Sequence, residues 1–117
     1  MTNNFKQKYE FNTRKIESDK IKEKYPNRYP LIITKGTKCN LNDIDKTKFL
    51  IPGDLTIGQI MYIVRKRIKL DEVDSLFLFI NDKILPTTSS VISSVYNEHK
   101  DDDGFLYISY CNENVFG

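Results

Sequence analysis

Residues 48–68 read KFLIPGDLTIGQIMYIVRKRI and contain the clearest pattern in this chain of 117 residues. The first four residues favour a strand, and Pro52 and Gly53 end it. Thr56 and Gln59 have the spacing of a capping box, which predicts a helix over residues 57–68. The apolar residues of this helix recur on one face: Ile57, Ile60, Met61, Val64 and Ile68. The stretch therefore predicts a short strand followed closely by a helix that packs one face on a core.

Outward from this stretch, the pattern predicts three more strands, over residues 29–34, 76–80 and 105–110. Pro30 indicates that the first of them lies at a sheet edge or has its entry there. A turn at Asn81-Asp82 predicts a short return strand at Ile84-Leu85.

Two further helices are predicted. Residues 11–24 have helical propensity but only a thin apolar stripe, formed by Phe11, Ile21 and Tyr25, and Pro26 favours a helix end just before it. Ser90 is the expected cap of a short helix. The residues expected to face inward from that helix are Val91, Ile92, Val95, Tyr96 and His99.

The resulting order is helix, strand, strand, helix, strand, short strand, helix, strand. This order indicates an α+β protein with a β-grasp, ubiquitin-like fold and an added N-terminal helical segment. We expect a single domain over residues 1–117. Its parts are an N-terminal helical extension (1–26), a β-grasp core (27–110) and a flexible C-terminal tail (111–117).

The composition excludes several classes of protein. No apolar run approaches the ~20 residues that span a bilayer, and the polar N-terminus predicts no secretory signal, so we expect an intracellular protein. Cys39, Cys111 and His99 are too few for a four-ligand zinc site, so no metal is expected and both cysteines are predicted to be free thiols. Cys111 with His99 is the one pair that could serve a thiol enzyme.

The net charge of +2 conceals an asymmetry. Residues 1–69 carry 16 lysines and arginines against 7 acidic residues, whereas residues 70–117 carry 2 against 9. A basic half favours acidic peptides, anionic lipid headgroups or nucleic acid as partners, although the two halves could instead face each other. The chain has no nucleic-acid motif and no aromatic residues interleaved on its basic helix face, so no nucleic acid is expected.

Several ordered motifs resemble the autophagy-related ubiquitin-like modifiers, the family that includes GABARAP and the microtubule-associated light chains. They are KYPNRYP (24–30), KFLIPGDLTIGQ (48–59), IVRKRI (63–68), DGFLY (103–107) and the terminal Phe116-Gly117. The chain departs from the family at Gly53, at Ile60 and by one extra residue within 82–95.

The resemblance implies a substrate of conjugation, with no catalytic residues of its own and no cofactor. Gly117 would be activated, passed as a thioester between activating and conjugating enzymes, and joined to phosphatidylethanolamine. A cysteine protease would process or delipidate the tail. The protein would be cytoplasmic and, when lipidated, on autophagosomes or other vesicles. Three alternatives stay open: a peptide-binding adaptor that is never lipidated, a modifier of protein lysines, and an enzyme that uses Cys111 and His99.

The resemblance also implies a groove beside the strand at 48–52 that binds aromatic-x-x-aliphatic peptides of cargo receptors and adaptors. Its aromatic pocket would be lined by Glu17, Ile21, Pro30, Ile32, Lys48, Leu50 and Phe105. Its aliphatic pocket would be lined by Phe49, Ile51, Pro52, Leu55, Ile60 and Ile63. Acids flanking the peptide would meet Arg28, Lys46, Lys48 and Arg67. Some family members associate with microtubules, and the residues considered for that use are Lys6, Lys8, Arg14 and Lys15.

Overall fold

The computed structural model describes residues 4–113 and contains one mixed sheet with helices on both faces. The helices are α1 (Asn4–Lys8), α2 (Phe11–Lys24), α3 (Ile57–Ile68) and α4 (Ile92–His99). The strands are β1 (Arg28–Lys35), β2 (Lys48–Pro52), β3 (Phe77–Ile80) and β4 (Leu106–Cys111). The sheet order is β2-β1-β4-β3, with β1 and β4 parallel and the two outer pairs antiparallel. The predicted α+β architecture is confirmed.

The larger core lies between the sheet and α3. Ile57, Ile60, Val64 and Ile68 are buried along one face of the helix, as its period predicts, while Met61 is only half-buried at the margin of that face. The predicted capping box is present: the Gln59 N–H donates to Thr56 Oγ1 (3.2 Å), and the Thr56 N–H donates to Gln59 Oε1 (2.8 Å). Two backbone donors at the start of α3 are therefore satisfied reciprocally.

Thr56→Ala should lower the free energy of unfolding by about 1 kcal/mol, because the Gln59 N–H loses its acceptor. Urea unfolding followed by circular dichroism measures this change. Thr37→Ala, at an exposed loop position, is the matched control and should change stability by less than about 0.5 kcal/mol. Equal effects of the two substitutions would mean that the capping box contributes nothing specific.

A second, smaller core lies on the opposite face of the sheet, under α1 and α2. It consists of Phe5, Ile32, Phe105 and Tyr107, with Ile21 packed against it. The sequence did not predict α1, because five residues with one buried aromatic give no helical period. Phe5 is nevertheless what holds α1 in place, with its ring centroid 5.0 Å from that of Phe105.

Helix α2 is held mainly by polar contacts rather than by the predicted apolar stripe. Phe11 and Tyr25 are exposed, whereas Arg14 and Ser18 are buried. The Ser18 hydroxyl donates to the Asp103 carbonyl oxygen (2.5 Å), and the Arg14 guanidinium forms an ion pair with the Asp103 carboxylate. The helix prediction is confirmed, but its packing depends on a partner that lies far along the chain.

Three local predictions are wrong. Ile84 makes only an isolated bridge to Ile80, and it is exposed together with Leu85, so no return strand forms. The N-cap of α4 is Val91 rather than Ser90, whose hydroxyl instead lies 2.5 Å from that of Thr87. Among the residues expected to face inward from α4, Val91 and His99 are only half-buried.

Pro30 lies in β1, which is paired on both sides and is not an edge strand. Proline is tolerated there for two reasons. Pairing with β4 begins at Leu31, opposite Leu106, so Pro30 precedes that ladder. Opposite β2, Pro30 pairs with Leu50 at a position where no ladder donor is needed, as described below.

The two oppositely charged halves of the chain meet at ion pairs that include Lys6–Asp101 (2.6 Å) and Arg14–Asp103. Part of the charge asymmetry is thus used within the fold. Arg14 is only 8 % exposed, so it is unavailable to a polymer surface, and its place in the basic set considered for microtubules is wrong. Among residues 4–113, no helix combines the length and the apolar character needed to cross a bilayer.

Candidate peptide-binding groove

Strand β2 forms one edge of the sheet and pairs with β1 alone among the described residues. Successive side chains of a strand point to opposite faces. Phe49 and Ile51 face the α3 core, and Lys48 and Leu50 therefore face the side that carries α2. The two predicted pockets consequently lie on opposite faces of one edge strand. This suits a peptide that adds to the edge as a strand, because its own side chains alternate between the same two faces.

The free edge of β2 has a definite hydrogen-bonding phase. The Ile33 N–H donates to the Thr47 carbonyl oxygen (2.8 Å), which makes this a hydrogen-bonded position between β1 and the residue that precedes β2. In an antiparallel pair such positions alternate, so the N–H and C=O groups of Lys48 and Leu50 point away from β1. Pro30, which has no N–H, stands opposite Leu50 and fits this phase. These outward groups are the ones that an incoming strand would use.

Sequence reasoning predicted Lys48 and Leu50 as pocket side chains and missed them as backbone donors and acceptors. Pro30 is the residue that could have indicated them. Because proline has no N–H, it fits a position that donates no hydrogen bond to β2, and once the register is known this shows which β2 residues point outward. In this structure the Leu50 carbonyl oxygen already accepts from the Arg28 guanidinium, with an N···O distance of 3.3 Å. A bound peptide would displace that exposed contact.

The seven residues predicted for the aromatic pocket come together between β1, β2 and α2. Pro30 and Ile32 stand opposite Leu50 and Lys48 in the β1–β2 register. Ile32 and Phe105 are fully buried below, with Ile21 packed against them. Above them, the carboxylate of Glu17 on α2 forms an ion pair with the Lys48 ammonium. These residues therefore combine a buried apolar surface with an ion pair above it, as the predicted pocket requires.

The residues predicted for the aliphatic pocket gather around β2 and α3, with Pro52 at the end of the strand. Phe49, Ile51 and Ile60 belong to the main core, and Leu55 and Ile63 pack against it while remaining partly exposed. Pro52 is half-buried at the end of the strand. Ile60 has no exposed surface, so it supports this pocket from beneath, whereas Leu55 and Ile63 offer the surface that a ligand could touch.

The four basic residues predicted for acidic flanks all lie around β2, and each has an internal partner. Arg67 pairs with Asp45 (3.0 Å), and Lys48 pairs with Glu17. The Lys46 ammonium lies 5.1 Å from the centre of the Phe49 ring, and Arg28 contacts the backbone as described above. Acids on a peptide would compete with Glu17 and Asp45, so each such contact should contribute only about 0–1 kcal/mol.

A polar cleft of about 400 Å³ lies elsewhere, between α1, α4 and β4. Its lining includes Lys6, His99, Asp101 and Tyr107, and it contains none of the predicted pocket residues. Burial raises the pKa of Asp101, but hydrogen bonds from the Lys6 ammonium and the Asp103 N–H outweigh it and hold that pKa below its usual value. This cleft thus contains the Lys6–Asp101 ion pair, which joins α1 to the loop between α4 and β4.

The predicted conjugation residue, Gly117, lies outside the described residues, which end at Glu113. Strand β4 ends at Cys111. The prediction for Gly117 therefore rests on the sequence alone.

Comparison with known proteins decides the family. The profile of the family described as "Autophagy protein Atg8 ubiquitin like" matches residues 13–117. The chain belongs to the Atg8 family. It is 51% identical over 117 residues to Autophagy-related protein 8 of Kluyveromyces lactis, covering all of this chain and 94% of that protein. Autophagy-related protein 8 of Schizosaccharomyces pombe is also 51% identical, with 96% of its length covered.

A solved structure agrees with this assignment. The crystal structure of Trypanosoma brucei ATG8 superposes with a TM-score of 0.87 at 38% identity, covering 97% of both chains. The predicted ubiquitin-like fold and the resemblance to autophagy modifiers are thereby confirmed. Atg8 proteins are ubiquitin-like modifiers and not enzymes, so the prediction of a non-catalytic protein is confirmed and the alternative of a Cys111–His99 enzyme is set aside.

Proposed function

We propose that this Atg8-family protein is joined through the carboxyl group of Gly117 to the amine of phosphatidylethanolamine on autophagosomal membranes. The observation that carries the proposal is that the family match runs from residue 13 to Gly117 and includes the terminal glycine. Glycine suits this role, because a terminus without a Cβ enters narrow enzyme channels and adopts backbone angles that other residues avoid. Covalently attached phosphatidylethanolamine is the only non-protein group expected.

The proposed chemistry is activation followed by two transfers. The Gly117 carboxylate attacks ATP and forms an acyl-adenylate with release of pyrophosphate. A cysteine of the activating enzyme displaces AMP to give a thioester, which passes to a cysteine of the conjugating enzyme. The lipid amine then attacks that thioester, forming an amide and freeing the thiol. A cysteine protease would hydrolyse the amide or trim a longer tail.

Lipidation would give stable membrane attachment, because each buried methylene of an acyl chain contributes ~0.8 kcal/mol and phosphatidylethanolamine carries two chains. The protein would thus move between the cytoplasm and the surface of autophagosomes or other vesicles. On the membrane, the free edge of β2 would recruit cargo receptors and adaptors through aromatic-x-x-aliphatic peptides. The outward backbone groups of Lys48 and Leu50 support strand addition there, with one pocket on each face.

Reconstitution tests the proposal directly. The full chain is mixed with matched activating and conjugating enzymes, ATP and phosphatidylethanolamine liposomes, and its intact mass is measured. One added lipid mass is the expected product. A ladder of conjugates on protein lysines would instead support a protein-to-protein modifier. If no adduct forms although the same enzymes are active on another Atg8 protein, the result would support the alternative of a peptide-binding adaptor that is never lipidated.

Leu50→Ala should weaken binding of an aromatic-x-x-aliphatic peptide with acidic flanks by roughly tenfold or more, because it opens a half-buried wall of the aromatic pocket. Ile63→Ala should do the same at the aliphatic pocket. Titration calorimetry with the free peptide measures both effects. Val73→Ala, at a position 91% exposed, is the matched control and should leave the affinity unchanged. Unchanged affinity in both pocket variants would place the peptide elsewhere.

A further inference from the structure

Cys39 and Cys111 lie side by side although they are distant in sequence. Cys39 is in the loop between β1 and β2, and Cys111 is the last residue of β4. Their sulfur atoms lie 3.9 Å and 3.6 Å from the same atom, Oδ1 of Asn112. Both cysteines are free and half-buried, so a small reagent can reach them without unfolding of the chain.

The loop that carries Cys39 is docked on the end of β4. The Gly36 N–H donates to the Tyr110 carbonyl oxygen (2.8 Å), and the Cys39 N–H donates to the Gly36 carbonyl oxygen (3.3 Å). A methyl group placed on Gly36 would lie 3.6 Å from Cβ of Cys111 and 3.8 Å from Cβ of Cys39. Both cysteine Cβ atoms therefore border Gly36, which has no side chain to fill the space beside them.

Farther along the same loop, two contacts restrict its movement. The Tyr110 hydroxyl donates to the Asn42 carbonyl oxygen (2.6 Å), and Lys35 forms an ion pair with Asp43 (2.8 Å). These two contacts therefore fix the loop in the position that places Cys39 near Cys111. Burial raises the pKa of the Cys39 thiol.

We propose that Cys39 and Cys111 form a reversible intramolecular disulfide, with oxidised glutathione or another small disulfide as the oxidant. This site shares no residue with the peptide pockets or with Gly117, and it goes beyond the proposed function. Native disulfides need Cβ atoms roughly 3.5–4.5 Å apart, so the loop that carries Cys39 must bring its Cβ atom within that range of Cβ of Cys111.

The reaction proceeds by two thiol–disulfide exchanges. One cysteine thiolate attacks a sulfur of oxidised glutathione, forms a mixed disulfide and releases the first glutathione thiolate. The second cysteine then attacks the protein sulfur of that mixed disulfide and releases the second glutathione. The two cysteine protons end on the two glutathione thiols, and two electrons pass from the protein to the oxidant. Because the thiolate is the nucleophile, attack by Cys39 becomes faster as the pH rises toward the pKa of its thiol.

The bond would tie the loop that enters β2 to the residue that precedes the C-terminal segment. It would close a long loop of chain, which lowers the conformational entropy of the unfolded state more than that of the folded state. We expect the oxidised chain to melt at least about 5 °C above the reduced chain.

Thiol counting in the native full chain tests the proposal. The protein is equilibrated with mixtures of reduced and oxidised glutathione, alkylated with N-ethylmaleimide, and weighed intact. The expected product under oxidising mixtures is an unlabelled monomer that has lost two hydrogens and yields a cross-linked Cys39–Cys111 peptide on digestion. Cys39→Ser and Cys111→Ser are matched controls, and each should carry one glutathione instead.

Three results would overturn the proposal. Two glutathione adducts on one chain, or a disulfide-linked dimer as the main product, would show that the sulfurs do not meet. Thiols that stay unreacted in the native chain but react in urea would show that the fold shields them. Circular dichroism of each variant confirms that the fold is retained before the thiols are counted.

Discussion

Gly117→Ala is expected to give no phosphatidylethanolamine adduct under conditions that convert the unaltered chain fully. The added methyl group lies on the residue whose carboxyl group is proposed to react, where it would meet the walls of the enzyme channels that admit the tail. Intact mass after reconstitution with the activating and conjugating enzymes, ATP and liposomes measures the outcome. Peptide binding by the variant should be unchanged, because the groove residues lie within the folded domain.

Two matched chains separate the role of the carboxyl group from that of the tail. A semisynthetic chain that ends in a carboxamide keeps Gly117 but cannot form an adenylate, and it should be equally unreactive. Asn114→Ala changes a nearby tail residue and should be converted like the unaltered chain. An adduct on Gly117→Ala and on the carboxamide would show that the lipid is attached elsewhere.

Arg14→Met should destabilise the protein by about 3–5 kcal/mol, which is the second large effect we expect. Asp103 is 0% exposed, and Arg14 provides the cation that compensates its carboxylate. The same carboxylate also accepts hydrogen bonds from the Tyr107 hydroxyl (2.5 Å) and the Phe105 N–H (2.9 Å). Methionine keeps much of the volume but leaves a buried charge unpaired. Urea unfolding measures the loss.

The matched control is Lys15→Met, one residue along the same helix. Lys15 pairs with Asp19 at the surface (2.8 Å), so its replacement should cost no more than about 1 kcal/mol. Hydrogen exchange in α2 should rise in Arg14→Met and stay low in the control. If Arg14→Met unfolds like Lys15→Met, the guanidinium is not what compensates Asp103.

The sheet and α3 could be predicted from local pattern because their signals are short-range. A capping box and a helical period lie within 13 consecutive residues, 56–68. The capping box is present at the start of α3, and the period matches the face of α3 that is buried. Ile84-Leu85 and Ser90 were predicted wrongly for the same reason. Local turn and cap signals exist there, but Ile84 gains only an isolated bridge to Ile80, and α4 takes Val91 as its N-cap, one residue after Ser90.

The candidate groove was likewise predictable from the sequence only in part. The sequence alone indicated that β2 is short and ends at Pro52, and motif resemblance indicated which side chains line the pockets. It could not indicate that Glu17 and Lys48 meet, because that ion pair joins α2 to β2 across an interface. Nor could it assign the outward backbone groups of Lys48 and Leu50, which depend on the register against β1.

By itself, the sequence determined the order of the main strands and helices, the face that α3 buries and the family to which the chain belongs. Those features depend on residue spacing within a few turns or on motifs kept in order along the chain. Tertiary structure alone decided the burial of Arg14, the phase of the β2 edge and the meeting of Cys39 with Cys111. Each of these depends on contacts between residues that are distant in sequence, and such contacts exist only once the chain has folded.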